Sequence, residues 1–254
     1  VATFKLTLEY DGSKYSGWQE QKNARSVQGE LRKAAEGYLG PVELQGAGRT
    51  DAGVHALGQV AHLRLKGTRP PNPEALRREL NANLPASIAV LDVSPVPDTF
   101  HARHSAISRT YRYQIATRKT AFLKPYVWWI KERLDIPAMT RAAKMLEGRH
   151  DFTCFRADDP SRPDESAIVV VEHTSIEMEG PLLVFRITAS HFVWRMVRRV
   201  TGVIARIGKH ELTEADLLLL LKAKPVARLD VAAWTAPASG LFLESVQYPT
   251  FKAK

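Results

Sequence analysis

One order of hydrophobic periodicities runs through this chain twice, strand–helix–strand–strand–helix–strand, and it limits the possible folds more than any single residue does. In the first pass Phe4, Leu6, Leu8 and Tyr10 alternate with Lys5, Thr7 and Glu9, as in a strand buried on one face. Asp11-Gly12 ends it. Ser26 can cap a helix with Val27, Leu31, Ala34, Ala35 and Tyr38 on one face, and Gly40-Pro41 stops that helix. Val42 to Gln45 and Gln59 to Leu65 read as strands on either side of a glycine-rich loop. Asn72-Pro73 opens a helix through Leu76 and Leu80, since proline is tolerated at the first helical position. Ile88 to Val96 is the closing strand.

The second pass begins at Thr110 to Ala116, with Tyr111, Tyr113 and Ile115 on one strand face. Met139, Ala142, Ala143 and Leu146 recur at helical spacing, with Gly148 as the stop. Ala167 to Met178 and Leu182 to Ser190 form a hairpin around Glu179-Gly180-Pro181. A helix is predicted from about Phe192 to Ile207, then a Leu-rich helix behind the capping sequence Thr213 to Asp216. Leu241 to Tyr248 closes as a strand. The expected fold class is therefore α+β, with two ferredoxin-like (βαββαβ) domains whose sheets are mainly antiparallel and carry helices on one face. Pro95 and Pro97 interrupt the pattern and place the boundary near 97–105, giving domains 1–100 and 101–254. Arg156 to Glu165, rich in Asp, Pro and Arg, reads as an exposed loop.

Charge adds a direction. The chain of 254 residues carries 36 Lys+Arg and 27 Asp+Glu, a net charge of +9. Residues 101–254 hold 24 of the cations and 16 of the acids, hence +8 of the excess. A polyanion is the partner such a surface favours. The single cysteine, Cys154, excludes an intramolecular disulfide or a Cys-based metal site and suits a reducing cytosol. No apolar run reaches the ~18–20 residues that span a bilayer, and the first ten residues alternate rather than form a signal-peptide block. Cytoplasmic, non-membrane residence is the expectation.

Three segments can carry chemistry. Gly46 to Ala56, G-A-G-R-T-D-A-G-V-H-A, puts Asp51 at the centre of a glycine loop with Arg49 two residues before it. Such a loop permits close approach by a ligand, yet it equally fits an ordinary turn in which the Asp makes local hydrogen bonds. No Gly-Lys-Ser/Thr follows, so it is not a phosphate-binding loop. Asp51, His55 and His62 are candidate metal ligands, with the pair His101 and His104 further on, and a metal-dependent hydrolase is one reading of them. In the helix from Phe192, Val193, Met196, Val197, Val200, Ile204 and Ile207 fall in one stripe, and Arg195, Arg198, Arg199 and Arg206 are expected to project from the opposite face. That face fits nucleic acid or plain solvation. Arg109-Thr110-Tyr111-Arg112-Tyr113 interleaves cations with rings that can stack on bases or serve as core. Trp128, Trp129, Trp194, Phe152 and Phe155 read as packing residues. A non-catalytic pair of RNA-binding modules also fits this pattern, although such modules have no use for a carboxylate in a glycine loop.

At these residues the chain resembles the tRNA pseudouridine synthase A family nearly end to end. Tyr10-Asp11-Gly12, Gly17-Trp18-Gln19 and Ser26-Val27-Gln28 look like its opening, and Gly48 to Ala56 like its catalytic loop. Phe100 to Arg103, Arg109 to Tyr113, His150 to Thr153, Met196-Val197-Arg198 and Gly240-Leu241 follow in the family's order. The resemblance implies two ferredoxin-like domains with the active-site cleft between them. It further implies a homodimer acting on the tRNA anticodon stem-loop, converting uridine to pseudouridine at positions 38 to 40 with no cofactor and no metal.

By the same resemblance Asp51 is the nucleophile. Its carboxylate can attack ribose C1′, remove a ribose proton or add to uracil C6, and these routes stay open. Arg198 matches the arginine paired with that carboxylate. Tyr111 would stack on the uracil and assist loss of the C5 proton, and Leu241 would wall out water. Arg49 would assist base extrusion, because a paired base must leave the stack before it can be attacked, or bind the RNA backbone. Arg195 and Arg199 stand where the family more often has His, Tyr or Asn, and phosphate contact is the role expected of them.

Overall fold

The alternation at the start of the chain forms β1 (Ala2–Tyr10), with Phe4, Leu6, Leu8 and Tyr10 all buried. The computed structural model describes residues 2–66, 70–158, 166–224 and 226–250. They divide into two units, one comprising Val1–Ile107 with Phe242–Lys254, the other Ser108–Leu241.

In the first unit, α1 (Val27–Leu39) starts where the Ser26 side chain accepts from the Gly29 N–H at 3.2 Å and stops at Gly40. It buries Val27, Leu31, Ala34 and Ala35, but Tyr38 in its last turn is 43% exposed rather than part of that face. β2 (Glu43–Gly46) and β3 (His55–Leu65) bracket the glycine loop, and α2 (Pro73–Asn83) is capped by Asn72 accepting from the Glu74 and Ala75 N–H groups. β4 is Ile88–Val96. β1 lies between β4 and β3, antiparallel to both. β2 pairs antiparallel with residues 61–64 of β3. Leu31, Leu76 and Leu80 are fully buried, and truncating any of them to alanine costs about 2–5 kcal/mol.

The second unit contains β5 (Ser108–Ala116), the two-residue β6 (Trp128–Trp129), α3 (Ile136–Lys144), β7 (Gly148–Asp151), β8 (Ile168–Glu179) and β9 (Leu182–Ala189). The strands run β5-β9-β8-β7, antiparallel throughout, with β6 parallel to β5. Then come α4 (Met196–Gly208) and α5 (Glu214–Leu221), the latter opened by a full capping box between Thr213 and Asp216. The final strand is β10 (Leu241–Gln247).

Several expectations are corrected. The units divide after residue 107, not 100, because Ile107 still pairs with the first unit, its N–H donating to Gln247 O at 2.8 Å. Residues 242–250, expected in the second domain, belong to the first, where Phe242 and Leu243 pair parallel with His55 and Ala56 on the edge of β3 that β2 leaves uncovered. Gly148 opens β7 rather than ending α3, which gives way at Met145. The second long helix begins at Met196, four residues later than predicted. Arg195 sits in the left-handed region, φ +60°, so no helix runs through it. Trp129 and Trp194 are 44% and 37% exposed, so neither is a core residue, while Phe152 and Phe155 are fully buried. Of the expected loop 156–165, residues 159–165 lie outside the described residues, and Ala157 is buried with its N–H donating to Trp194 O at 3.0 Å.

Candidate active site

The Asp51 loop is held on both sides. Ala47 N–H donates to Val60 O at 2.7 Å, and Gly48 O accepts from the side chain of the buried Gln59 at 3.1 Å. Thr50 is pinned twice: its carbonyl accepts from Trp18 N–H at 3.1 Å, and its hydroxyl meets the Tyr10 hydroxyl at 2.8 Å. Past the carboxylate, Val54 N–H donates to Asp51 O at 3.1 Å and Gly53 N–H to Tyr15 O at 3.3 Å. Asp51 itself is half-buried and Arg49 is exposed. Burial raises the Tyr10 phenol to about 12, against the pull of Thr50 and Gln59, so it stays a neutral hydrogen-bonding group. The pairing of β1 with β3 slips between Leu8 and Tyr10, which places an irregularity where β3 leaves the loop.

The segment 11–18, which supplies Tyr15 and Trp18 among these partners, has no role assigned to it by its sequence motif. Gly17 shows why its composition matters. It has φ +98°, and a Cβ there would stand 2.4 Å from Thr50 O and 3.2 Å from the Asp51 carbonyl carbon. Only glycine lets the backbone press this closely on the carboxylate loop. The signal available in sequence was a run of three aromatics and two glycines, Tyr10 to Trp18, ahead of the first helix.

The histidines take other roles. His55 Nδ1 lies 3.0 Å from the Gly12 N–H and 3.2 Å from the Asp11 carboxylate, and the ring stacks on Phe242 at 4.6 Å. His62 Nδ1 accepts from the Ala102 N–H at 3.0 Å, and its ring meets His101 at 4.7 Å. Seven residues of strand separate His55 from His62 by roughly 20 Å. They cannot share one ion, and among the described residues no three His, Cys, Asp or Glu side chains are placed to hold a metal. Burial raises the Cys154 thiol, the opposite of what a nucleophile needs.

The second unit carries the other candidates. On β5, Tyr113 is fully buried with its hydroxyl donating to Pro237 O at 2.7 Å, whereas Tyr111 is half-exposed with its ring edge-on to Phe192 at 5.0 Å. Of the two tyrosines, Tyr111 is the one that can meet a ligand. Arg109 donates to Ser190 O at 2.9 Å and Arg112 pairs with Glu179 at 2.8 Å, so both hold the sheet. Leu241 is buried at the first position of β10.

The arginines of α4 do not project from an open face. Arg198 Nε donates to Ala236 O at 2.7 Å, and Ala236 N–H donates back to Arg198 O at 3.1 Å. One turn on, a Cβ at Gly202 would stand 1.8 Å from Trp234 O. One turn further, Arg206 lies over the Trp234 ring at 4.8 Å and pairs with Glu211. Residues 198, 202 and 206 thus form an i, i+4, i+8 track that receives the segment Trp234–Ala236. Arg199 donates to Arg156 O and is half-buried, which lowers its basicity, with Arg195 adding to that effect. Arg195 remains exposed beside the Trp194 ring at 4.9 Å.

The Asp51 carboxylate thus stands half-buried on a loop whose backbone is tied down on both sides. A family model described as tRNA pseudouridine synthase matches residues 7–105 and 142–249. The chain is 43% identical over 250 residues to the tRNA pseudouridine synthase A of Beijerinckia indica, covering 97% of this chain and 94% of that one. It is 44% identical over 253 residues to that of Shigella boydii, covering 98% and 91%, and 41% identical over 252 residues to that of Mesorhizobium japonicum, covering 97% and 99%. The chain belongs to the tRNA pseudouridine synthase family.

Proposed function

We infer that the protein is an isomerase that converts uridine to pseudouridine in tRNA, without a cofactor, at positions 38 to 40 of the anticodon stem-loop. The observation that carries this reading is Asp51, the one carboxylate of the G-R-T-D-A-G-V-H-A segment, set in a loop whose neighbours on both sides are tied down. The reaction breaks the bond from ribose C1′ to N1, turns the uracil and joins C1′ to C5; C5 then loses its proton and N1, freed from the sugar, takes one up, so no atom is gained or lost. Asp51 supplies the attacking or proton-removing oxygen. A nucleophile of this kind works best when its position is set before substrate arrives, and the braced loop supports that role.

The remaining roles follow the family motifs at the matching positions. Arg198 partners the carboxylate, and its side chain is oriented by Ala236 O. Tyr111 stacks on the uracil and assists C5 deprotonation, a role its half-exposed ring supports. Leu241 excludes water, Arg49 assists extrusion of the base, and Arg195 and Arg199 meet phosphates. The 108–241 unit holds 21 Lys+Arg against 15 Asp+Glu, which supports its carrying most of the RNA backbone contact. Each unit is read as ferredoxin-like, supported in the first by β2 and β4 flanking the central β1–β3 pair. The working form is read as a cytoplasmic homodimer; among the described residues no helix is long and apolar enough to cross a membrane.

The test is direct. Unmodified tRNA transcript is incubated with the protein, digested to nucleosides and assayed for pseudouridine, with each of positions 38, 39 and 40 changed in turn. Pseudouridine confined to those positions is expected. None on a correctly folded transcript refutes the activity, and product at other sites refutes the assigned position.

A further inference from the structure

The stretch joining β5 to β6 and running past it carries features that the isomerisation does not use. Residues 117–131 contain four cations, Arg118, Lys119, Lys124 and Lys131, and no acid. All four are exposed. Phe122 stands among them at 92% exposure, the highest value for a large apolar side chain among the described residues. The stretch is not slack. Leu123 N–H donates to the Thr120 hydroxyl at 3.3 Å and Tyr126 N–H to Leu123 O at 2.8 Å. Tyr126 O accepts from the Gln114 side chain at 2.8 Å, and Val127 O from the Ser239 hydroxyl at 3.1 Å. Leu123 and Tyr126 are half-buried on either side, so the turn is anchored while Phe122 is held out in water. Trp129, at the edge of the sheet on β6, adds a second ring that is 44% exposed.

We propose that residues 117–131 form an RNA-contact surface separate from the catalytic motif, with Phe122 stacking on an unpaired base and Arg118, Lys119 and Lys124 set against phosphates. The proposal rests on tRNA being the substrate and names where part of that substrate is gripped. An exposed ring among cations, with no acid in the same stretch, is how proteins hold single-stranded nucleic acid. A protein partner fits less well. Lysine is depleted at the cores of protein interfaces, and three of the four cations here are lysines.

The experiment uses the full chain and one tRNA preparation. Phe122→Ala is expected to weaken tRNA binding about tenfold, with turnover at saturating tRNA unchanged and with affinity restored by Phe122→Trp. The triple change of Arg118, Lys119 and Lys124 to alanine is expected to reduce the log–log salt slope of binding by about two. Unchanged affinity for Phe122→Ala together with an unchanged salt slope for the triple variant overturns the proposal. So does a Phe122→Ala protein that binds tRNA normally but sediments as a smaller species, because the loop then meets a second copy of the chain. Pseudouridine formation by the unaltered protein is scored in the same samples. Its absence sinks the functional reading, whereas loss of affinity in Phe122→Ala with wild-type activity intact bears on the loop alone.

Discussion

Replacing Gly17 by alanine should damage the reaction through a residue outside the motif loop. An L residue at the left-handed φ of +98° costs about 1–2 kcal/mol. The new Cβ would also lie 2.4 Å from Thr50 O, and contacts below 3.0 Å are not sustained. The loop must retreat by about 0.6 Å, stretching the bond from Trp18 N–H to Thr50 O that now measures 3.1 Å. Strain and the weakened bond together come to roughly 2–4 kcal/mol, which for a chain of this size lowers Tm by about 5–12 °C. Misplacing a reacting group by ~1 Å costs about a hundredfold in rate, so a shift of this size should cost at least tenfold. The assay is single-turnover pseudouridine formation with enzyme in excess, at a temperature well below the lowered Tm. Gly48→Ala is the control within the loop, since a Cβ there meets nothing within 4 Å, and its Tm should stay at the wild-type value. A Gly17→Ala protein that melts early yet reacts at the wild-type rate would refute the argument that this contact positions Asp51.

Asp51→Asn should abolish product while leaving tRNA affinity within a few-fold of wild type, because the amide has the carboxylate's shape without its nucleophilicity; near-normal turnover would remove Asp51 from the chemistry. Arg198→Ala should lower the single-turnover rate far more than Arg206→Ala, whose main effect should be about 1 kcal/mol of stability from the lost contacts with Trp234 and Glu211. Equal rates in the two variants would make both arginines merely structural. His62 should make the fold acid-sensitive. Burial, with Arg64 and His101 adding to it, holds the imidazole at about 4 despite Glu43, below the ordinary 6.5. The folded chain therefore keeps it neutral, and stability is complete above about pH 6.5 and falls as pH drops toward 4, by up to roughly 3 kcal/mol. Urea titrations from pH 7 to 4.5 check this, and a His62→Gln protein showing the same slope would assign the effect elsewhere.

What could be read from sequence was what local chemistry decides. Ser26, Asn72 and Thr213 cap their helices as expected, because a cap and the amides it serves lie within three residues of each other. β6 was missed because two residues leave no periodicity to detect, and β7 because Gly-Arg-His-Asp has no apolar residue to mark a buried face. The arginine face of α4 was misread because its cover, Trp234–Ala236, arrives some thirty residues later and leaves no mark on the helix itself. The partner of β10 was hidden for the same reason, since strand pairing across nearly two hundred residues is not written in either strand. At the site, the loop holding Asp51 stood out by its glycines, while its supports Tyr10, Tyr15 and Gln59 look in sequence like ordinary strand and turn residues.

The return of β10 to β3 makes the strand beside the carboxylate loop depend on a segment nearly two hundred residues away in sequence. Phe242 and Leu243 lie against His55 and Ala56, just where the chain leaves that loop. A chain cut in the 230s would keep the Arg198 helix yet leave the edge of β3 at His55 and Ala56 as unpaired backbone. Contacts between segments this far apart in sequence form late, because the long intervening loop must be closed before they reward it. The strand edge next to Asp51 is therefore expected to be among the last parts of its unit to be completed in folding.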